Sequence, residues 1–148
     1  MLVKAKLADA KLIYNLRFEK LSLKYSISQK KTTYLDHVKW LRKLIKQKNN
    51  KIFIFEKNKG YLRVNRFKNK NFLSWSINKD SRRKGYGYKM LNNFLKDSKL
   101  LYFALIKKNN ISSINLVKKI GFRYIKKLEN DILLFSFKNT NIYKWKEI

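Results

Sequence analysis

The sequence predicts one α/β domain, residues 1–148, with a mixed, mostly antiparallel sheet of about seven strands flanked by about four helices. A chain of 148 residues is long enough for one domain with a real core and too short for two. Hydrophobic residues make up 45% of it, which indicates a globular chain rather than a disordered polycation. Strand-like and helix-like segments follow in the order β-α-α-β-β-β-α-β-α-β-β, and this alternation predicts the fold class.

The composition excludes several kinds of site. The chain has no cysteine and a single histidine, His37, so disulfides, thiolate metal sites and an imidazole cluster for zinc are excluded, and we expect no metal. Residues 1–11 alternate charged and apolar side chains and lack the apolar core of a signal peptide. No apolar run reaches the roughly 18 residues that a membrane span needs. We therefore expect a cytoplasmic protein without a membrane span.

The formal charge of +28 favours anionic ligands. The cations comprise 30 lysines and 7 arginines, spread over the whole chain rather than gathered on one helix or arm. Lysine, asparagine and isoleucine, all abundant here, are encoded by AT-rich codons, so codon bias is one source of this charge and a functional role is the other. We interpret the charge as mainly compositional, and nucleic-acid binding as compatible with it but not favoured.

The first third of the chain predicts one strand and two helices. Residues 3–7 alternate as a strand does, and a helical pattern begins at Asp9 and fades near Leu21. Residues 33–36 read Thr-Tyr-Leu-Asp and resemble a capping box with a short acid. They open a second helix whose predicted apolar stripe consists of Tyr34, Val38, Leu41 and Ile45.

The middle of the chain predicts three strands in succession. Residues 52–56, 61–67 and 72–77 are rich in aromatic and β-branched side chains, and the polar turns KNKG and KNKN separate them. The next segment, SRRKGYGYKML, leads into a helix that carries Leu91, Phe94 and Leu95.

The last third predicts a buried strand, a helix and two further strands. Residues 100–106 are continuously apolar, as in a strand that is buried on both faces. Residues 110–120 form a helix that Gly121 terminates. Residues 122–125 and 132–137 predict the final strands.

Residues 82–87, RRKGYG, predict a phosphate-binding loop at the start of a helix. A helix N-terminus has unpaired N–H groups and a partial positive charge, and both favour phosphate. Gly85 and Gly87 let the backbone approach an anion without a Cβ between them. The segment is neither a Walker A loop nor the dinucleotide fingerprint, which needs a third glycine where Met90 stands. It matches RxxGxG, a weak pattern alone, since glycines after a charge run often mark a plain turn.

A second motif lies on the following helix. Asn110-Ile-Ser-Ser113 precedes Gly121-Phe122 in the pattern NxxSx7GF. With both motifs in this order, the chain resembles the GCN5-related N-acetyltransferases, the GNAT superfamily, over nearly its whole length. RRKGYG is similar to that family's pyrophosphate loop, and residues 109–122 are similar to its motif B helix.

The resemblance implies a GNAT fold that binds acetyl-CoA as co-substrate. In the family, the strands before the two motifs splay apart, and the pantetheine arm lies between them. Here these would be the strands at 72–77 and 100–106, and Asn110 would contact the pantetheine. A backbone N–H near Ile77 would polarise the thioester carbonyl. The implied cofactor-binding residues are Ser76, Ile77, Arg82, Arg83, Lys84, Gly85, Tyr86, Gly87, Tyr88, Asn110 and Ser113.

The N-terminal half contains Arg17 and the segments KYS (24–26), DHVKW (36–40) and VNRF (64–67). These resemble the pattern of one branch of the family, which acetylates amino groups of nucleotide-linked sugars, as in pseudaminic-acid synthesis. That branch has Arg-Asn near the first helix, Glu-His-x-x-Trp on the second and an arginine on the third strand. This chain departs from it at Phe18 and Asp36. The resemblance implies a small-molecule amine substrate, a nucleotide sugar, bound by Arg17, His37, Trp40 and Arg66. Such a substrate is anionic, which suits the charge, and the two arginines would clamp its phosphate.

The catalytic residues are left open by the sequence. Relatives often carry a tyrosine on the motif B helix that protonates the leaving thiolate, and this chain has Val117 there. Tyr124 and Tyr102 are possible substitutes. His37 is the candidate base on chemical grounds, since an imidazole titrates in the right range, although it could equally pack at a helix edge. Glu56, at a strand end, is the second candidate.

Two other functions remain open. One is acetylation of a protein N-terminal amine, such as that of a ribosomal protein. The other is a basic nucleic-acid-binding module that keeps the fold without the chemistry. For it argue the missing tyrosine and the absence of an acid at residues 72–77, where many relatives carry a glutamate. The sequence leaves the oligomeric state open, a homodimer included.

Overall fold

The computed structural model describes residues 1–139, which form one seven-stranded sheet and five α-helices. The strands are β1 (Leu2–Lys4), β2 (Lys51–Phe55), β3 (Gly60–Phe67), β4 (Lys70–Ile77), β5 (Leu101–Lys107), β6 (Arg123–Leu128) and β7 (Ile132–Lys138). The helices are α1 (Ala10–Arg17), α2 (Lys20–Tyr25), α3 (Tyr34–Ile45), α4 (Tyr86–Leu95) and α5 (Ile111–Ile120). The predicted α/β fold with a mixed, mostly antiparallel sheet is confirmed. No helix within residues 1–139 is both long and apolar enough to cross a bilayer.

The sheet opens between β4 and β5. Its strand order is β1-β2-β3-β4-β5-β7-β6, and every neighbouring pair is antiparallel except β4 and β5. These two parallel strands are in register only at Asn71 with Tyr102 and Phe72 with Phe103. Past Phe72, the rest of β4 pairs with β3 alone within the described part of the chain. A gap therefore lies between β4 and β5, and the backbone of β4 borders it.

The two faces of the sheet carry separate cores. Leu62 and Val64 of β3 pack in one apolar cluster with α4 and α5, which we call the α4/α5 face. Tyr61, their neighbour in the chain, packs in a second cluster with α1 and α3, which we call the α1/α3 face. Successive side chains of a strand point to opposite faces, so the helices cover the sheet from both sides.

The two predicted polar turns between the middle strands form as expected. Lys68 and Asn69, between β3 and β4, have φ values of 49° and 63°, the backbone of a two-residue hairpin turn whose twist suits the flanking strands. The turn between β2 and β3 also contains residues with positive φ, namely Glu56, Lys57 and Asn58.

The single helix predicted from Asp9 to Leu21 is wrong, because the chain forms two helices there. α1 ends at Arg17, and Glu19 is extended, with φ −62° and ψ 147°. The Glu19 carboxylate accepts hydrogen bonds from the backbone N–H groups of Leu21 and Ser22, and so caps α2. A side-chain cap replaces the backbone bonds that a continuous helix would make.

The buried stripe of α3 differs from the predicted one. Thr33 caps the helix as expected, since its hydroxyl accepts a hydrogen bond from the Asp36 N–H at 3.2 Å. Tyr34 and Ile45, however, are 40% and 42% exposed. The buried positions have the helical spacing i, i+4, i+7 and are His37, Leu41 and Leu44. His37 therefore lies in the centre of the buried face and not at its edge.

Two strands also differ from their predictions. β1 covers Leu2–Lys4, and the chain then turns into a short 3-10 helix at Leu7–Asp9. In β5, Tyr102, Ala104 and Ile106 are buried but the alternate residues are only half-buried or exposed. The prediction of a strand buried on both faces is therefore wrong. The physical reason is that the cluster of the α1/α3 face contains no β5 residue.

Gly60 is a position where we expect substitution to destabilise the fold. A Cβ there would lie 2.5 Å from the Ser76 carbonyl oxygen, and this contact is with backbone that cannot rotate away. We expect Gly60→Ala to lower the free energy of unfolding by about 1–3 kcal/mol, measured by urea denaturation. Lys70→Ala, at an exposed position of β4, should change it by less than about 0.5 kcal/mol. Equal effects of the two changes would show that the close approach of β3 and β4 is not constrained.

Candidate active site

The loop of residues 82–87 has a backbone shaped to bind an anion. Arg83 and Gly85 adopt the left-handed region, with φ 61° and 78°, and α4 begins directly after Gly85. Left-handed residues next to a helix start turn successive N–H groups toward a common point, which makes an anion-binding concavity. A Cβ built on Gly85 would meet no atom within 4 Å, so the space beside these amides is open.

Lysines surround this loop and make its surroundings positive. Lys59 donates a hydrogen bond to the Tyr86 hydroxyl at 2.9 Å, and its Nζ lies 4.1 Å from the centre of the same ring. This hydrogen bond lowers the pKa of Tyr86 and raises the pKa of Lys59. Lys84 donates to the Asp80 carbonyl at 3.1 Å, and Lys89 lies 5.5 Å from the Tyr86 ring. An anion at the loop would meet cations on several sides.

Arg82, the first residue of the loop, is engaged elsewhere. Its guanidinium donates to the Glu19 carboxylate at 2.6 Å, to the Ser22 hydroxyl at 3.2 Å and to the Ile77 carbonyl at 3.1 Å. Burial alone would raise the pKa of Glu19, but the hydrogen bonds from Arg82, Leu21 and Ser22 lower it to about 2. The Glu19 carboxylate is therefore ionised at neutral pH.

A second polar link joins α2 to the end of β4. The Ser22 and Ser76 hydroxyls lie 2.9 Å apart, and Ser76 also donates to the Leu16 carbonyl at 3.3 Å. Ser76 is 7% exposed and precedes Ile77, the last residue of β4. The segment between α1 and α2 is thus tied to the border of the gap in the sheet.

On the α1/α3 face, two arginines lie against one tryptophan. The guanidinium carbons of Arg17 and Arg63 lie 4.8 Å and 5.0 Å from the centre of the Trp40 ring. Arg63 belongs to β3, where it pairs with Ser74 of β4, two residues beyond the last contact of β4 with β5. We call Arg17 and Arg63 the arginine pair, and it lies beside the gap.

No carboxylate within residues 1–139 forms an ion pair with either member of the arginine pair. Arg63 donates to the Asn65 side chain at 3.3 Å, but its Nε is buried and has no partner among the described residues. Burial, followed by the charge of Arg17, lowers the pKa of Arg63. Two adjacent cations without a counterion are unfavourable, and a bound anion would relieve both the repulsion and the missing hydrogen bond.

His37 lies next to this pair and is 1% exposed. Its Nε2 lies 3.1 Å from the Ala10 carbonyl, which can only accept, so Nε2 carries the proton and Nδ1 has the lone pair. Nδ1 is buried without a partner in the described structure. Burial lowers the pKa of His37, the hydrogen bond to Ala10 raises it, and the charge of Arg17 lowers it, with a net decrease. His37 is therefore neutral at neutral pH.

The structure brings together Arg17, His37 and Trp40 of the predicted substrate residues, but not Arg66. Arg66 is exposed near the end of β3, where its backbone N–H donates to Asn50 at 2.8 Å. Arg63 occupies the place expected for it. Strand alternation could have distinguished Arg63 from Arg66 in the sequence, since residues 61 and 63 lie on one face of the sheet and residue 66 lies on the other.

The remaining predicted cofactor residues lie around the N-termini of α4 and α5. Asn110 caps α5, because its side-chain oxygen accepts from the Ser113 N–H at 3.3 Å. The centre of the Tyr88 ring on α4 lies 4.8 Å from Lys119 Nζ on α5. Val117 is completely buried in the α4/α5 core, so the position where relatives carry a tyrosine has no proton donor.

The two other candidate catalytic residues lie away from the arginine pair. Glu56 is in the turn between β2 and β3, with its carboxylate 3.4 Å from the N-terminal amine and 3.8 Å from Lys59 Nζ. Tyr124 is 54% exposed on β6, at the edge of the sheet, and packs against Phe135. Within residues 1–139, no group of three or more metal-ligating side chains occurs.

Comparisons with known proteins agree on one family. Residues 1–123 match the family model described as the acetyltransferase (GNAT) domain. None of the curated proteins matches the chain in sequence.

Solved structures share the fold at low sequence identity. Spermidine N-acetyltransferase from Vibrio cholerae, in complex with CoA and spermine, has a TM-score of 0.84 and 14% identity, with 95% of each chain covered. A putative acetyltransferase from Salmonella typhimurium, with its cofactor acetyl-CoA, has a TM-score of 0.74 and 17% identity, covering 93% of this chain and 92% of that one. An acetyltransferase from Thermus thermophilus has a TM-score of 0.78 and 19% identity, with 94% and 96% covered.

Proposed function

The chain belongs to the GNAT acetyltransferase family and is an acetyl-CoA-dependent N-acetyltransferase, and we propose that its acceptor is the primary amine of a nucleotide-linked deoxy-amino-sugar used in surface glycan synthesis. The observation that carries the choice of acceptor is the arginine pair, two half-buried guanidinium groups without a carboxylate partner in the described structure. A nucleotide sugar brings phosphate to such a site together with the amine to be acetylated.

The loop of residues 82–87 fits the diphosphate of the cofactor. We assign this role to the backbone N–H groups around Gly85 and at the start of α4, because they converge on open space and lysines surround them. The open border of β4, past Phe72, would offer backbone hydrogen bonds to the pantetheine amides. When bound, acetyl-CoA supplies an acetyl group activated as a thioester. We assign to this path Asn110 and Ser113 at the start of α5 and the backbone of Ser76 at the open border of β4, whose side chain faces α1 and α2.

The acceptor would approach from the α1/α3 face and meet the cofactor in the gap. Arg63 is in register with Ser74, just where β4 leaves β5, so an anion held by the arginine pair lies next to the gap. Both guanidinium groups already contact Trp40, and we assign that ring the role of holding them side by side. A planar guanidinium can then donate two parallel hydrogen bonds to a phosphate.

His37 is the candidate base that lies on the acceptor face. It is neutral, and its lone pair on Nδ1 has no partner in the described structure. Because the ring is only 1% exposed, the acceptor ammonium cannot reach it directly, and its proton would have to arrive through water that enters the α1/α3 core. For the leaving thiolate, a protein acid is not required, since thiols have a pKa near 8.5 and water can return the proton at little cost. We propose this in place of a tyrosine, given the buried Val117.

The charge of the site argues against a polyamine acceptor. Spermine is bound by the V. cholerae enzyme, but a polycation would be repelled by a net charge of +28 and by the arginine pair. Acetylation of a protein N-terminus and nucleic-acid binding remain the alternatives that an experiment must separate.

The acceptor is tested by measuring free-thiol release from acetyl-CoA with four amine classes. These are a nucleotide-linked amino sugar, the same amino sugar without its nucleotide, spermidine and peptides with a free N-terminus. We expect the nucleotide-linked sugar to have the highest kcat/KM, with about a 100-fold loss when the nucleotide is removed, because two charged hydrogen bonds are lost. Higher kcat/KM for spermidine or a peptide would overturn the proposal. If no amine reacts and RNA binds with steep salt dependence, the binding-module alternative is correct.

A further inference from the structure

The ion pair between Glu19 and Arg82 joins the two halves of the proposed site. Its carboxylate belongs to the α1–α2 junction and its guanidinium to the first residue of the phosphate loop. Among the four ion pairs within residues 1–139, it is the shortest and most shielded, with side chains 27% and 24% exposed.

The pair is part of a larger set of hydrogen bonds that fixes the loop. Arg82 also donates to the Ile77 carbonyl, which closes the four residues between the end of β4 and the loop. It donates to Ser22, whose hydroxyl contacts Ser76 in β4. Arg82 therefore bonds to Glu19 and Ser22 at the start of α2 and to Ile77 at the end of β4, and the first two hold its guanidinium at the α1–α2 junction.

The same junction carries the acceptor-side arginine. Arg17 is the last residue of α1, and Glu19 follows two positions later as the cap of α2. A movement of this junction would displace both the guanidinium proposed to hold the acceptor and the partner that holds the phosphate loop.

We propose that Arg82 is not a phosphate ligand but a positioning residue, which Glu19 holds so that the loop amides are ordered for the diphosphate of acetyl-CoA. We call this pair the Glu19–Arg82 bridge. The inference rests on the proposed function of the loop. It differs from the expectation that every residue of the RxxGxG segment contacts the cofactor, and it gives Glu19 a role in cofactor binding.

The direction in which Glu19→Gln changes the affinity for coenzyme A shows whether Glu19 acts only through its charge or orders the loop. Glu19 is an anion near a site for an anion, so if it acted only through its charge, Glu19→Gln would strengthen coenzyme A binding. If the bridge orders the loop, the same change weakens binding, because Arg82 loses its ionised partner and the loop amides lose their fixed orientation. Glutamine keeps an oxygen that can cap α2, so the helix start is preserved.

The experiment measures the dissociation constant of coenzyme A by calorimetry for the whole chain and for three variants. We expect Glu19→Gln and Arg82→Gln each to weaken binding by about tenfold, and the double variant to be no weaker than Arg82→Gln alone. Non-additivity of this kind shows that the two side chains act as one unit. Circular dichroism and urea unfolding establish that the variants are folded.

Asp80→Asn is the matched control. Asp80 is an exposed acid two residues before Arg82, and its carboxylate forms none of the ion pairs within residues 1–139. We expect this change to leave coenzyme A binding unchanged or slightly stronger. A difference in sign between Asp80→Asn and Glu19→Gln supports the bridge.

Two outcomes overturn the inference without affecting the proposed function. In the first, the Glu19→Gln variant binds coenzyme A as tightly as the unmodified protein, or more tightly. In the second, the losses of coenzyme A affinity in the two single variants add up in the double variant, which would mean that Arg82 binds the phosphate directly. Failure of the unmodified protein to bind coenzyme A is a different result, and it would refute the proposed function itself.

Discussion

Gly87→Glu is expected to abolish coenzyme A binding while the domain remains folded. Gly87 lies in the first turn of α4, so a glutamate there would bring a negative charge close to the backbone N–H groups proposed to bind the diphosphate. Like charges in contact cost several kcal/mol, so we expect at least about a 100-fold rise in the dissociation constant, measured by calorimetry. Folding should persist, since an acid in the first turn of a helix is stabilising by about 0.3–1 kcal/mol.

Gly87→Ala is the control that separates size from charge. A Cβ at this position would lie 3.1 Å from Leu116 Cδ2, the end of a flexible side chain that can move slightly. Both variants make that contact, but only glutamate adds the charge. We expect Gly87→Ala to change affinity by less than about tenfold, because this small steric shift costs on the order of 1 kcal/mol. Equal losses would mean that packing between α4 and α5, and not the anion site, explains the effect.

The parts of the fold that the sequence predicts correctly depend on local interactions. The turn at Lys68 and Asn69, the Thr33 cap and the end of α5 at Gly121 each follow from residues within four positions of one another. The break at Glu19 could not be predicted in this way. Glu19 caps α2 while it is paired with Arg82, which is 63 residues away in the chain.

The same distinction applies to the candidate site. Two glycines and three cations locate the phosphate loop in the sequence, because the backbone conformation they favour is local. The sequence cannot tell that Arg82 turns away from this loop toward Glu19. Nor does it show that His37 is enclosed, since the rotation of α3 by one position depends on its packing against α1. Long-range packing therefore decides which of the predicted polar residues are available to ligands.

Arg63→Met is expected to weaken binding of the acceptor and, at the same time, to raise the stability of the protein. A hydrogen bond to a charged group contributes about 1.5–3 kcal/mol, so kcat/KM for the nucleotide-linked amine should fall about 10- to 100-fold. The effect should appear mainly in the KM of the acceptor, with the KM of acetyl-CoA unchanged, since the arginine pair lies on the opposite face from α4. Removing a half-buried cation that has no counterion within residues 1–139 should raise the free energy of unfolding by up to about 1 kcal/mol.

Weaker acceptor binding together with higher stability would identify Arg63 as a residue that binds the ligand and does not support the fold. A residue that only supports the fold would lose stability on substitution, and its loss of activity would follow from that. Arg66→Met, on the same strand but exposed, is the matched control. It should leave both the KM of the acceptor and the free energy of unfolding nearly unchanged. If Arg63→Met lowers stability and leaves the acceptor KM unchanged, then Arg63 is structural and the anionic acceptor loses its main support. If instead Arg66→Met reproduces the loss of acceptor binding, the general positive field of the chain, and not the arginine pair, attracts the substrate.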